Sequence, residues 1–129
     1  MDFDTFLGEV QQRAKLASQG EALRITRATL TTLGERLGSG EATDLAAPLP
    51  MEIDRFLTEA QSEQRIDYDE FVDRVADRAS TDQSDANFYA QVVLDVVADT
   101  VPESEFRDVR DQLPSEYDNL FKLLSSENY

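Results

Sequence analysis

Apolar side chains recur along this chain at helical spacing, and the alternating pattern of a half-buried strand is absent. Phe3, Phe6, Leu7, Val10 and Ala14 line one face of a first helix, with Asp2 or Asp4 as its N-cap. A longer second helix starts at Ser18, with Glu21 in the capping-box position, and runs through Ala22, Ile25, Thr29, Leu30, Leu33 and Leu37 to a stop at Gly38-Ser39-Gly40. A short third helix over 41–47 leads to Leu49-Pro50. Proline suits a helix's first turn and cannot continue the helix before it, so Leu-Pro predicts the launch of a fourth helix carrying Ile53, Phe56 and Leu57.

The same order of signals then recurs. DFDTFLGEVQQRA at 2–14 returns as DYDEFVDRVADRA at 67–79, and EATDLAAPLPMEID at 41–54 returns as EFRDVRDQLPSEYD at 105–118. The first offset is 65 and the second 64, so one residue is lost between 15–20 and 80–85. Tyr68, Phe71, Val72, Val75 and Ala79 predict the fifth helix, with Asp67 and Glu70 in capping-box spacing. A sixth begins near Ser84, passes Ala86, Tyr89, Val93, Leu94 and Val97, and stops at Val101-Pro102. Its run Val92 to Val97 has strand-like composition, but the helical flanks and the matching stretch ATLTTL favour helix. A seventh over 104–111 and an eighth after Leu113-Pro114, with Tyr117, Leu120, Phe121 and Leu124, complete the second set. Self-similarity at one period means one unit copied and packed against its copy. The expected fold is all-α: two tandem four-helix repeats, 2–58 and 67–122, joined by a linker at 59–66 and followed by a tail at 123–129. They should pack about a pseudo-two-fold axis into one compact domain, with Phe6, Leu30, Leu33, Phe71, Leu94 and Val97 in its core.

The first copy's aromatic-led helix, its segment LGERLGSGEATDLAAPLP, and the Leu-Pro-x-Glu element at Leu49 to Glu52 and Leu113 to Glu116 resemble a family of small prokaryotic proteins known as domain of unknown function 2267. The resemblance covers about residues 2–121. It implies an all-helical domain of bacteria and archaea and carries over no functional residues.

Charge changes the picture next. The chain has 27 acidic and 12 basic residues and a net charge of −15. Asp outnumbers Glu, and only Lys15 and Lys122 are lysines. Scarce lysine with abundant aspartate is the composition of a halophile-adapted, archaeal-like protein, because hydrated carboxylates keep a surface wet in concentrated salt. Residues 1–64 carry −5 and residues 65–129 carry −10. There is no apolar run long enough to span a membrane and no signal-peptide pattern at the start, so the expected location is cytoplasmic.

Candidate chemistry is sparse. With no Cys and no His, the usual thiolate nucleophile, general base and transition-metal ligands are missing. Acidic clusters at Asp2, Asp4, Glu9 and at Asp67, Asp69, Glu70, Asp73 sit in first turns, where unsatisfied N–H groups already account for them. No catalytic, cofactor-binding or metal-ligating residue is assigned, and no cofactor is expected. Arg13 and Arg78 occupy one register position, as do Asp44 and Asp108, so each arginine is expected to pair with its aspartate, the alternative being an anion site. Arg24 and Arg27, with Arg36 further on, form a small basic patch.

The expected function is a non-enzymatic, protein-binding adaptor or regulatory module, a monomer with a homodimer as the alternative. Small-molecule or ion binding in the cleft between repeats is the first rival. A carboxylate-only hydrolase and a nucleic-acid binder follow, the latter opposed by the net charge. Carboxylate repulsion acts over about 10 Å at 0.1 M salt and about 3 Å at 1 M. Melting temperature should therefore climb from dilute buffer into molar KCl, and hydrogen exchange should show 65–129 loosening first as salt is withdrawn. An unchanged melting temperature contradicts the halophilic reading, and uniform loosening contradicts the asymmetry.

Overall fold

The structure is a computed structural model that describes residues 1–127. Its helices are α1 Phe3–Ala14, α2 Gln19–Arg36, α3 Ser39–Ala46, α4 Ile53–Thr58, α5 Tyr68–Ala79, α6 Gln83–Thr100, α7 Glu103–Gln112 and α8 Lys122–Glu127, with a 3₁₀ helix Ser115–Phe121 before α8. No strand occurs among the described residues, so the chain is all-α and compact, and Val92 to Val97 lies inside α6. No helix among them is long and apolar enough to cross a membrane.

Local chemistry sets the helix ends. Asp2 Oδ1 accepts from the N–H of Thr5 and Asp67 Oδ1 from that of Glu70, both at 2.8 Å. α1 and α5 are both 12 residues long and both end on a left-handed residue, Lys15 at φ 58° and Ser80 at φ 57°. There the next N–H reaches back a full turn, from Leu16 to Gln11 O at 2.9 Å and from Thr81 to Ala76 O at 3.0 Å.

The capping boxes form differently from their sequence pattern. Ser18 Oγ accepts from Glu21 N at 3.2 Å, but Glu21 returns the bond to Ala17 N, at 3.0 Å. Glu70 turns away to Arg74, and the N–H of Tyr68 donates instead to Glu116 Oε1 at 2.6 Å. α6 starts at Gln83, one residue before the expected Ser84, because Asp82 caps it, accepting from Asp85 N at 2.8 Å. The α5–α6 connection is thus one residue shorter than the α1–α2 connection, which is where the offset drops from 65 to 64. Gly38 is extended and opens α3 as its N-cap, so Gly38-Ser39-Gly40 begins a helix as much as it stops one.

The two Leu-Pro segments diverge. Pro114 leads directly into the 3₁₀ helix, whereas Pro50 is followed by a turn in which Glu52 sits at φ 81°, ψ −45°, a strained region for a residue with a side chain. α4 begins only after it. α4 lies so close to α2 that a Cβ on Gly34 would stand 2.5 Å from Leu57 O. Where a tail was expected, α8 continues to Glu127; the last two residues of that expected tail lie outside the described residues.

The core runs along α2 and α6. α1 packs on α2 and on α6, while α5 packs on α6 and on α2. All six expected core residues, Phe6, Leu30, Leu33, Phe71, Leu94 and Val97, are fully buried. The segment at 59–66 crosses the end of α2, with Glu63 N and Gln64 N each donating at 2.8 Å to Leu37 O and Glu35 O. Tyr117 anchors its far end through a 2.5 Å hydrogen bond to Ile66 O.

Candidate functional site

Arg13 and Arg78 do not meet Asp44 and Asp108. Each reaches into the other half of the chain. Arg13, in the last turn of α1, contacts Asp95 at 2.8 Å and Asp99 at 2.6 Å, both on α6, and Glu9 at 2.8 Å on its own helix. Arg78, in the last turn of α5, holds Glu35 on α2 through both oxygens, at 2.7 and 2.8 Å, and donates to Thr32 Oγ1 at 2.8 Å. Arg74 joins from one turn earlier, 3.0 Å from Glu35 and 2.5 Å from Glu70. The expected ion pairs thus exist with other acids, because α1 and α5 lie across the long helices and not beside α3 and α7. Burial works to raise the Glu35 carboxyl, but the hydrogen bonds from Arg78 and Arg74 overcome it and hold it below the usual range. The Tyr117 hydroxyl is pushed up to about 12, mainly by burial.

Asp44 and Asp108 instead border a cavity of about 280 Å³ between α3 and α7, with Glu41, Glu105 and Asp111. Among the described residues no three acidic side chains stand close enough to hold a metal ion. The first-turn acids act locally: Asp2 and Asp67 cap, Glu9 and Glu70 hold arginines, and Asp73 accepts from Gln83.

The basic patch proves to be the edge of a groove of about 710 Å³. Gly20, Leu23, Arg24, Arg27, Ala28 and Thr31 of α2 line it together with Glu52, Phe56 of α4 and Arg78 of α5. A contiguous depression carries the groove past Arg27 and Phe56 to Arg55 and Glu59. Arg24 and Arg27, three apart, share a face of α2. Arg36 is not part of it; its guanidinium lies 5.8 Å over the Tyr117 ring.

The use made of each arginine singles this groove out. Arg13, Arg74, Arg78 and Arg107 hold carboxylates, and Arg36 and Arg110 lie over aromatic rings. Arg24, Arg27, Arg55 and Arg65 have no carboxylate within ion-pairing distance among the described residues, and three of these four border the groove. In a chain with 27 acidic residues, unpaired arginines gathered around Leu23, Ala28 and Phe56 form a distinct surface. Spacing revealed Arg24 and Arg27. Arg55 and Phe56 were not legible as partners, since the strained turn at Glu52 brings them there.

The family model of an uncharacterized conserved protein, DUF2267, matches residues 3–120. No curated protein matches the chain.

The Glu35 contacts carry a pH prediction. A carboxyl whose folded pKa lies below its unfolded value adds stability above the unfolded value, about 4.3 for Glu, and loses it as pH falls through the folded value. Glu35→Gln should cost about 2 kcal/mol at neutral pH, where charge-assisted hydrogen bonds are lost. The gap between variant and parent should narrow below about pH 4. Urea denaturation at neutral and acid pH measures both, and a gap that stays constant contradicts the assignment.

Proposed function

Because the chain belongs to the DUF2267 family of uncharacterized conserved proteins, its role is argued from its own surface, and we propose that it is a non-enzymatic protein-binding module. It is built of two four-helix units, 2–58 and 67–122, related by a pseudo-two-fold axis. The reciprocal placement of Arg13 on α6 and Arg78 on α2 supports this symmetry, as do the equal lengths of α1 with α5 and α2 with α6.

One observation carries the binding role: an apolar-floored groove lined by unpaired arginines in the first unit, where the matching Gln91 and Asn119 of the second bond to each other and tie the 3₁₀ helix to α6. The groove is long and open to solvent, which suits a segment of polypeptide. A small-molecule pocket typically encloses about 70–90% of its ligand's surface. No buried acid lies along it, so the hydrolase reading gains no support. The protein works as a monomer in a salt-rich cytoplasm, in keeping with its charge and lysine scarcity.

A photo-crosslinking residue at Thr31, in the groove, and at Asp118, on the second half, tests the proposal in the source cells. Discrete protein adducts should arise from Thr31 and fade when Phe56→Ala is added. Equal adducts from both sites, or small-mass adducts only, contradict it.

A further inference from the structure

The groove and the corresponding surface of the second half are built from matching positions, and the residues that differ show what the groove lacks. Counting 64 along the chain, Arg27 corresponds to Gln91, Arg55 to Asn119 and Thr31 to Asp95, and Arg78 matches Arg13 at 65 back. In the second half Gln91 Nε2 donates to the main-chain oxygen of Asn119 at 2.8 Å and to its Oδ1 at 2.7 Å, tying the 3₁₀ helix to α6. Two amides can do this because each carries donors and an acceptor. The side chains of Arg27 and Arg55 carry donors only and the same charge, so they cannot bond to each other as the two amides do. Asp95 likewise neutralises Arg13 from a position that is Thr31 on the side of Arg78. Acceptors and negative charge are thus missing from the first half at two matched positions.

We propose that the groove takes the carboxylate side chains of an acidic, partly apolar segment of a partner protein. One carboxylate sits between Arg27 and Arg55, supplying the acceptors that Asn119 gives Gln91, and a second meets Arg24. Apolar side chains of the segment lie on Leu23, Ala28 and Phe56. A guanidinium holds a carboxylate bidentately, and on an apolar floor such a pair is less exposed to screening than one in open solvent. Glu52 and Glu59 border the same groove. They favour a few discrete carboxylates over a continuous polyanion, and a nucleic acid would extend beyond the groove over a chain of net charge −15. This assignment rests on the reading of the groove as a protein-docking surface.

The test uses the full chain and two fluorescein-labelled helical peptides, one with glutamates three apart among leucines and one with glutamines in their place. Anisotropy titrations are run in dilute and molar KCl, with amide resonances followed by NMR. The acidic peptide should bind roughly tenfold tighter than the neutral one and shift Arg27, Thr31 and Phe56. Arg27→Gln with Arg55→Asn, which copies the second half, should remove most of that difference and leave the part that Arg24 supplies, with a thermal melt confirming that the variant folds. Equal affinity of the two peptides for the parent contradicts the carboxylate assignment and leaves protein docking in place. If neither peptide perturbs the groove, both fail. A single-stranded oligonucleotide that binds there more tightly than the acidic peptide overturns the choice of partner.

Discussion

The eight consecutive positions from Ala90 to Val97 on α6 are all buried, so this stretch of helix has no face for water. A helix in that state needs neighbours on every side. α1 and α5 supply two of them, α2 a third, and the 3₁₀ helix with α8 the rest. α2 is served in the same way by α1, α4, α5 and α6. Since α1 precedes α2 and α5 precedes α6, each long helix is covered partly by its own half and partly by the other. The two halves therefore share one core.

That interlock decides where the polar groups go. α1 and α5 cross the opposite long helix near their C-terminal ends, where Arg13 and Arg78 also suit the helix dipole. Asp95, nearly buried, and Glu35 are tolerable inside because a guanidinium meets each of them. One Asp95 oxygen, Oδ1, and the hydroxyls of Thr26 and Thr29 remain buried without a partner. From the same register the second half buries Gln91 against Asn119, while the first presents Arg27 and Arg55. The difference between the halves, more than their likeness, marks out a surface that can work.

Much of the scaffold was legible in the sequence. Periodicity and caps located the four long helices, and the copied register identified core residues such as Phe6 and Phe71, because burial depends on a local pattern repeated twice. The ion pairs were not legible. Exact letter matching offered Asp44 with Asp108, yet the acids that Arg13 and Arg78 reach include Asp99 and Glu35, which occupy one register position under different letters. Which helix crosses which is a tertiary fact that spacing along one chain does not encode. The fourth helix of the first half was legible as α4, but its difference from the second was not: similar Leu-Pro-x-Glu elements lead to a 3₁₀ helix in one half and to a strained turn at Glu52 before α4 in the other, so a shared motif hid the divergence.

Separate production of residues 1–66 and 67–129 tests the shared core most directly. Each fragment would keep a long helix whose buried face has lost half its cover. The account predicts that neither fragment alone shows a cooperative thermal transition in molar KCl, and that mixing them in equal amounts restores one. A fragment that melts cooperatively by itself, at a temperature close to that of the whole chain, would contradict the interlock.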